Sequence, residues 1–279
     1  MRTMPALLAA TLLLWTAGPR SARAGEAWEE PQTEAEAKGD SDADEGKAAA
    51  LPPGAEVAGP WQSYPIREIE RPTVLPRGVR EVTGQLVFGI SKGQTFGDAV
   101  ALIIDGSWGL RRKLDVGAGA TLIVFPEGNT FRALDLHAQY EARGPWALRA
   151  DLELVHAPGD TQVGLGLAAP LKLRLSGAFA LVAFDRLLTL YSSPSAQLAE
   201  LPATLIAQAM QRLAIGLRAS FELPDFDPDL RRVPVRLFGQ WTLGRRLDAG
   251  VGVGLLDVSA NATGAFDGRA VDLFVAGRF

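Results

Sequence analysis

The feature that most constrains the fold is an alternation of apolar with polar or small residues, which runs from Val79 to the end of the chain. In the final segment, VDLFVAGRF, every second position is apolar: Val271, Leu273 and Val275, with Phe279 last. Successive side chains of a β-strand point to opposite faces, so such a segment forms a strand with one continuous apolar face. Repetition of this pattern predicts an all-β protein.

About twelve segments carry the alternation. The clearest covers residues 134–141, where Leu134, Leu136 and Tyr140 alternate with polar side chains. A loss of parity near Asp185 and Arg186 predicts a β-bulge. Residues 201–209 fit a strand, but their apolar positions also fit one face of a helix.

The closing segment, an alternating strand that ends on Phe279, resembles the last strand and assembly signal of Gram-negative outer-membrane β-barrels. Residues 72–78 form the string P-x-x-L-P-x-G, which resembles the start of a group of porin-like outer-membrane barrels with no established function. This resemblance implies an up-and-down transmembrane antiparallel β-barrel. Its partners would be outer-membrane lipid, lipopolysaccharide and the barrel-assembly machinery, which would recognise the C-terminal strand.

The connections favour the same topology. Short turns, for example at Gly144-Pro145 and Arg245-Arg246, alternate with mostly longer loops, as in a barrel with both termini in the periplasm. Bacterial barrels have an even number of strands, which favours a strand over a helix at residues 201–209 and a total of about 12. A secreted β-sandwich is the alternative, but it explains neither the terminal Phe279 nor the one-sided turn lengths.

The N-terminal part divides into three segments before the barrel at residues 79–279. Residues 1–24 have the charged start, short apolar stretch and Ala-x-Ala site of a cleaved signal peptide, although an uncleaved anchor is the alternative. Residues 25–60 are acidic and rich in Ala, Gly and Pro, which predicts a disordered periplasmic tail. Residues 61–78, with three prolines, form a segment that leads into the first strand; we call it the lead-in segment.

Composition excludes several function classes. The chain has no cysteine, so it has neither disulfides nor thiolate sites, and its net charge of −4 gives no reason to expect nucleic-acid binding. Of its two histidines, His137 lies in the polar register beside Asp135 and Glu141. The sequence predicts no assembled nucleophile, base and orienting residue, so we expect no enzyme, cofactor or metal site. Asp225, Asp227 and Asp229 suggest either a Ca²⁺-binding loop or, as the better interpretation, a solvated acidic loop.

The inward register of the predicted barrel is charged, and its outward register carries aromatic side chains at the short-turn end. Acids predicted to line the lumen are Glu81, Asp105, Asp115, Asp135, Glu141, Asp151 and Glu153, and the bases are Lys172, Arg174, Arg218 and Arg236. The predicted aromatic girdle consists of Trp108, Tyr140, Trp146, Trp241 and Phe279. Facing arcs of opposite charge predict either a transverse field across a channel for small polar or ionic solutes, or ion pairs that plug a closed anchoring barrel.

Overall fold

The computed structural model describes residues 60–91, 99–125, 131–157, 160–192, 197–259 and 268–279. The predicted signal peptide (1–24) and all but the last residue of the predicted acidic tail (25–60) lie outside these ranges. The strands of the described part are β1 (Arg80–Ser91), β2 (Ala99–Arg111), β3 (Leu114–Phe125), β4 (Phe131–Arg143), β5 (Trp146–Ala157), β6 (Asp160–Ala168), β7 (Leu171–Arg174), β8 (Phe179–Ala183), β9 (Leu188–Tyr191), β10 (Leu198–Met210), β11 (Leu213–Pro224), β12 (Val235–Gly244), β13 (Leu247–Leu255) and β14 (Gly268–Arg278). Short 3₁₀ turns occur at Pro60–Ser63, Glu68–Glu70 and Pro228–Leu230.

These strands form one closed antiparallel barrel. Strands β1 to β5 and β10 to β14 pair in sequence order within each run, and the barrel closes where β14 pairs with β1. Strands β6 and β7 both pair with β5, and β8 and β9 both pair with β10, so each of these two pairs fills a single position in the wall. The described chain is therefore a closed antiparallel barrel of 12 strands, as the sequence predicts.

The alternation in sequence becomes an apolar outer face and a largely polar inner face. On the outside, Leu148, Leu165 and Leu167 are more than half exposed, which suits contact with lipid rather than water. The alternate residues of each strand point inward and are mostly buried, for example Asp151 and Glu153 of β5. Among the described residues, no helix is long and apolar enough to cross a membrane.

Two wall positions are interrupted. Strands β6 and β7 are separated at Ala169 and Pro170, where the missing N–H of proline leaves a gap in the ladder. Strands β8 and β9 are separated by residues 184–187, and Phe184 has a left-handed φ of 58°. This irregularity confirms the bulge predicted near Asp185 and Arg186.

Residues 201–209 are extended rather than helical. They lie within β10, which pairs with β11 along its full length and with β8 and β9 on its other side. Leu201 and Leu205 face outward, whereas Thr204 and Ile206 are buried inside. The strand assignment is confirmed, because a helix here would leave the edges of β8 and β11 unpaired.

The lead-in segment (61–78) folds back into the barrel, which its proline-rich sequence did not indicate. Ile69 packs among inward side chains of the wall, including Ala180, Val182 and Ile206. The backbone N–H of Leu75 donates to Asp115 Oδ2 at 2.7 Å. Gly109 of β2 makes room for the segment, since a Cβ there would lie 2.0 Å from the carbonyl oxygen of Pro76.

The two faces of the wall predict a depth-dependent response to charge. Leu152 lies mid-strand on the outer face of β5, and Leu247 lies on the outer face beside the Arg245-Arg246 turn. We expect Leu152→Arg to destabilise the refolded barrel by about 2–4 kcal/mol and Leu247→Arg by at most about 1 kcal/mol, because charge costs most at the centre of the bilayer. Urea unfolding in lipid vesicles, followed by tryptophan fluorescence, measures both. Equal costs would contradict the assignment of Leu152 to the lipid-facing side.

Candidate functional site

The candidate site is the barrel lumen, and the structure places the predicted lining residues as follows. Asp115, Asp135, Asp151, Glu153, Lys172 and Arg236 are buried, Glu81, Asp105, Glu141 and Arg218 are half-buried, and Arg174 is exposed at the end of β7. Each of the six buried side chains is less than a tenth exposed, so these charges have little contact with water.

The charges pair locally rather than across the barrel. Arg149 donates to Asp151 on the same strand, and Arg186 pairs with Glu153. Arg236 pairs with Asp272, with its Nε 2.9 Å from Oδ2. The predicted acidic arc is thus partly neutralised by arginines that lie beside it, which weakens the transverse field expected from the sequence.

A second network fixes the lead-in segment at the short-turn end. Arg71, 1% exposed, donates to both carboxylate oxygens of Asp248 at 2.7 and 2.9 Å and also pairs with Glu68. Asp248 also accepts from Arg278, which pairs with Glu81 at 2.7 Å. Arg71 therefore connects the segment to a wall carboxylate that is already shared with the closing strand.

Backbone groups of the lead-in segment bind further wall side chains. Lys172 Nζ donates to the carbonyl oxygens of Glu68 and Arg71 at 2.7 and 3.2 Å. Gln139 Nε2 donates to the carbonyl oxygen of Thr73 at 2.6 Å. The segment thus occupies the short-turn half of the lumen through hydrogen bonds of its main chain.

The interrupted wall position supplies two inward charges. Asp185 accepts from Arg218 at 2.6 and 3.1 Å, and Arg218 also lies 3.6 Å from Glu200. Glu153 accepts from the Tyr191 hydroxyl at 2.7 Å and from Arg186. The break between β8 and β9 therefore supplies ion-pair partners to nearby strands on both sides, β11 and β5.

Several members of these networks are not among the residues predicted from the sequence to line the lumen. Asp248, Asp272 and Arg278 share the inward parity of their strands, so the alternation contained the information needed to find them. Arg71 had no such signal, because the lead-in segment has no strand periodicity. Its role depends entirely on how the segment folds back.

His137 lies in a small cluster of polar side chains near the middle of the wall. Its Nε2 is 3.3 Å from Ser107 Oγ, and its Nδ1 is 3.6 Å from Asp135 Oδ1. The groups follow the order of a serine-hydrolase triad, a juxtaposition that the sequence did not predict. The aspartate is too far from Nδ1 for a hydrogen bond, so the geometry lacks the orienting contact of a triad.

Within the described ranges, one group of His, Asp or Glu side chains has the spacing of metal ligands. It comprises Asp105, Asp135 and His137, and one ligand atom from each lies within 4.8 Å of the others. The sequence predicts no metal site here.

The acidic loop makes local hydrogen bonds. Asp227 Oδ1 accepts from the backbone N–H of Asp229 and caps a 3₁₀ turn, and Asp225 Oδ1 accepts from the backbone N–H of Gln197.

The five aromatic residues predicted as a girdle all lie on the outer surface. Their exposed fractions range from 41% at Trp146 to 63% at Phe279; the others are Trp108, Tyr140 and Trp241. Trp146 stacks on Phe184 with a centroid distance of 6.1 Å, and Arg80 lies over the Trp108 ring at 5.1 Å. All five lie near short turns, and their role as a girdle at a membrane interface stays a prediction.

Breaking the Arg236–Asp272 pair should lower the stability of the barrel measurably. In Arg236→Gln, the fully buried Asp272 would keep Gln85 as a donor but lose its cation. We expect a loss of about 3–5 kcal/mol in the free energy of unfolding, since breaking a buried pair leaves an uncompensated charge. Urea unfolding in vesicles measures this loss.

The matched control is Arg67→Gln, which removes the more exposed Arg67–Glu70 pair and should cost at most about 1 kcal/mol. The double variant Arg236→Gln/Asp272→Asn should recover part of the loss. Indistinguishable stability of Arg236→Gln and the control would show that the pair is not buried.

Comparison with known proteins supports the fold alone. No protein-family model and no curated protein matches the chain. Among solved structures, it is similar to the KdgM porin in complex with disordered oligogalacturonate, with a TM-score of 0.51 and 9% identity over 71% of this chain and 99% of that one. It is also similar to the NanC porin, with a TM-score of 0.49, 8% identity and coverage of 70% and 98%. A third similar structure is an outer membrane channel from Pseudomonas putida F1, with a TM-score of 0.43, 17% identity and coverage of 74% and 97%.

Proposed function

We propose that this protein is an outer-membrane channel for small polar or ionic solutes, held closed in the described conformation by its own lead-in segment. The observation that carries this proposal is the way the short-turn half of the lumen is filled. Wall side chains there, including Asp115, Gln139 and Lys172, bind the backbone of the segment.

Such contacts are exchangeable for water. When the segment leaves, water or a polar solute can take the place of its backbone N–H and carbonyl groups. The wall side chains then keep hydrogen-bond partners. Departure of Arg71 also leaves Asp248 with Arg278 as a partner. The inner surface of the wall therefore stays polar whether or not the segment is present, and a conducting lumen requires a polar inner surface.

A closed anchoring barrel is the second candidate function. It is favoured by ion pairs that join wall residues to one another, namely Arg236–Asp272, Arg186–Glu153 and Arg218–Asp185. These pairs do not involve the lead-in segment, so they would remain after its release. In this alternative, the barrel serves to present its loops and its N-terminal region.

Location and partners follow from the proposed channel. The predicted signal peptide would direct the chain to the periplasm, and the barrel-assembly machinery would insert it through the closing strand, β14. Lipid and lipopolysaccharide would surround the apolar outer face, with the aromatic girdle at the short-turn interface. The acidic tail would then lie in the periplasm.

Reversible attachment of the lead-in segment tests the channel. Because the chain has no cysteine, Thr73→Cys/Gln139→Cys introduces one defined pair at a site where segment and wall touch. In planar bilayers, we expect discrete, charge-selective conductance steps from the wild type, none from the oxidised double variant, and their return on reduction. Thr73→Cys alone is the control and should conduct under both conditions.

Arg71→Gln extends the test by removing the buried contact between segment and wall. We expect more frequent opening, because the segment loses its bond to Asp248. Folding and insertion are checked by the heat-modifiable migration of intact barrels. Folded, inserted protein that is silent in the wild type and in Arg71→Gln would reject the channel and support the closed barrel.

A further inference from the structure

The cluster around His137 is assembled across one strand that lacks the corresponding side chains. Asp105 of β2 and Asp135 of β4 both pair with Gly119 of β3, and Ser107 and His137 both pair with Gly117. Two glycines in the inward register of β3 thus open a gap. Side chains from β2 and β4 meet across this gap.

The gap is fitted to the imidazole ring. A Cβ on Gly117 would lie 2.3 Å from Cε1 and 2.5 Å from Nε2 of His137, so the ring lies directly against the backbone of β3. The His137 side chain is 4% exposed, which leaves it little freedom to turn toward water. The position of the ring is therefore fixed by the wall.

The two ring nitrogens of His137 are in different environments. Nε2 has a hydrogen-bond partner in Ser107 Oγ at 3.3 Å. Nδ1 is buried and makes no hydrogen bond, and the nearest carboxylate oxygen, Asp135 Oδ1, is 3.6 Å away. A metal-binding histidine has the same arrangement, with one nitrogen facing the ion and the other held by a hydrogen bond that orients the ring.

The neighbouring carboxylates in the register pair with arginines. Asp151, opposite His137, accepts from Arg149, and Glu153, opposite Asp135, pairs with Arg186. Among the described residues, the group with ligand spacing consists of Asp105, Asp135 and His137. Asp105 is half-buried, which leaves the group an approach from the lumen.

We propose that Asp105, Asp135 and His137 Nδ1 form a binding site for a divalent transition-metal ion in the wall of the lumen, with Ser107 orienting the imidazole through Nε2. One imidazole and two carboxylates suit Zn²⁺ or a similar ion, because Mg²⁺ and Ca²⁺ prefer oxygen ligands alone. The site is independent of whether the barrel conducts. An ion held there would join β2 to β4 across the bare strand.

Calorimetric titration of the full-length, untagged protein, folded in detergent, tests the site with Zn²⁺ as the probe. We expect saturable binding of one ion per chain that excess Mg²⁺ does not displace. His137→Ala and Asp135→Asn should lower the affinity at least about tenfold, and Ser107→Ala about 10–100-fold through loss of the orienting contact. His156→Ala, which removes the other histidine of the chain, is the matched control and should bind as the wild type does.

A second variant separates loss of a ligand from loss of fold. Gly117→Ala keeps all three ligands but displaces the His137 ring, and we expect it to weaken Zn²⁺ binding while heat-modifiable migration shows an intact barrel. Zn²⁺ should also raise the unfolding temperature of the wild type and of His156→Ala, but not of His137→Ala. The proposal is overturned if the wild type shows no saturable binding, if Mg²⁺ competes equally, or if His137→Ala binds as well as His156→Ala.

Discussion

Every other feature of this structure depends on closing the backbone hydrogen-bond ladder. Within a bilayer, an unpaired N–H or carbonyl group has no water to bind, so a sheet can span only if its two edges meet. Here β14 pairs with β1 along eleven residue positions, and the last residue, Phe279, exchanges backbone hydrogen bonds with Arg80. Closure gives the wall an inner and an outer face, and the alternation of side chains places apolar residues on the outer face and polar residues on the inner one.

Closure also forces charges into a confined interior. Desolvation makes a buried charge costly unless it is paired, and the wall meets this requirement by local pairs such as Arg236–Asp272. At the short-turn end, the pairing involves the lead-in segment, whose Arg71 shares Asp248 with Arg278. The same electrostatic requirement therefore stabilises the wall and positions the segment inside it.

Irregularities in the wall direct additional side chains into the lumen. The left-handed Phe184 interrupts one wall position, and the two residues after it, Asp185 and Arg186, both pair with lumen side chains. A regular strand would direct these neighbours to opposite faces. Glycines have a complementary effect: Gly117 and Gly119 leave part of β3 bare, so that side chains of β2 and β4 meet.

The sequence alone determined the barrel, its strand number, the bulge near Asp185 and the faces on which Leu152 and Asp135 lie. Strand periodicity is a local property, because each residue's face follows from its neighbours along the chain. Only the tertiary structure decided that Arg71 binds Asp248, that Ser107 meets His137 across Gly117 and that Asp105 meets Asp135 across Gly119. Those contacts depend on strand register and on the path of a segment without periodicity, and both are set by interactions between residues far apart in sequence.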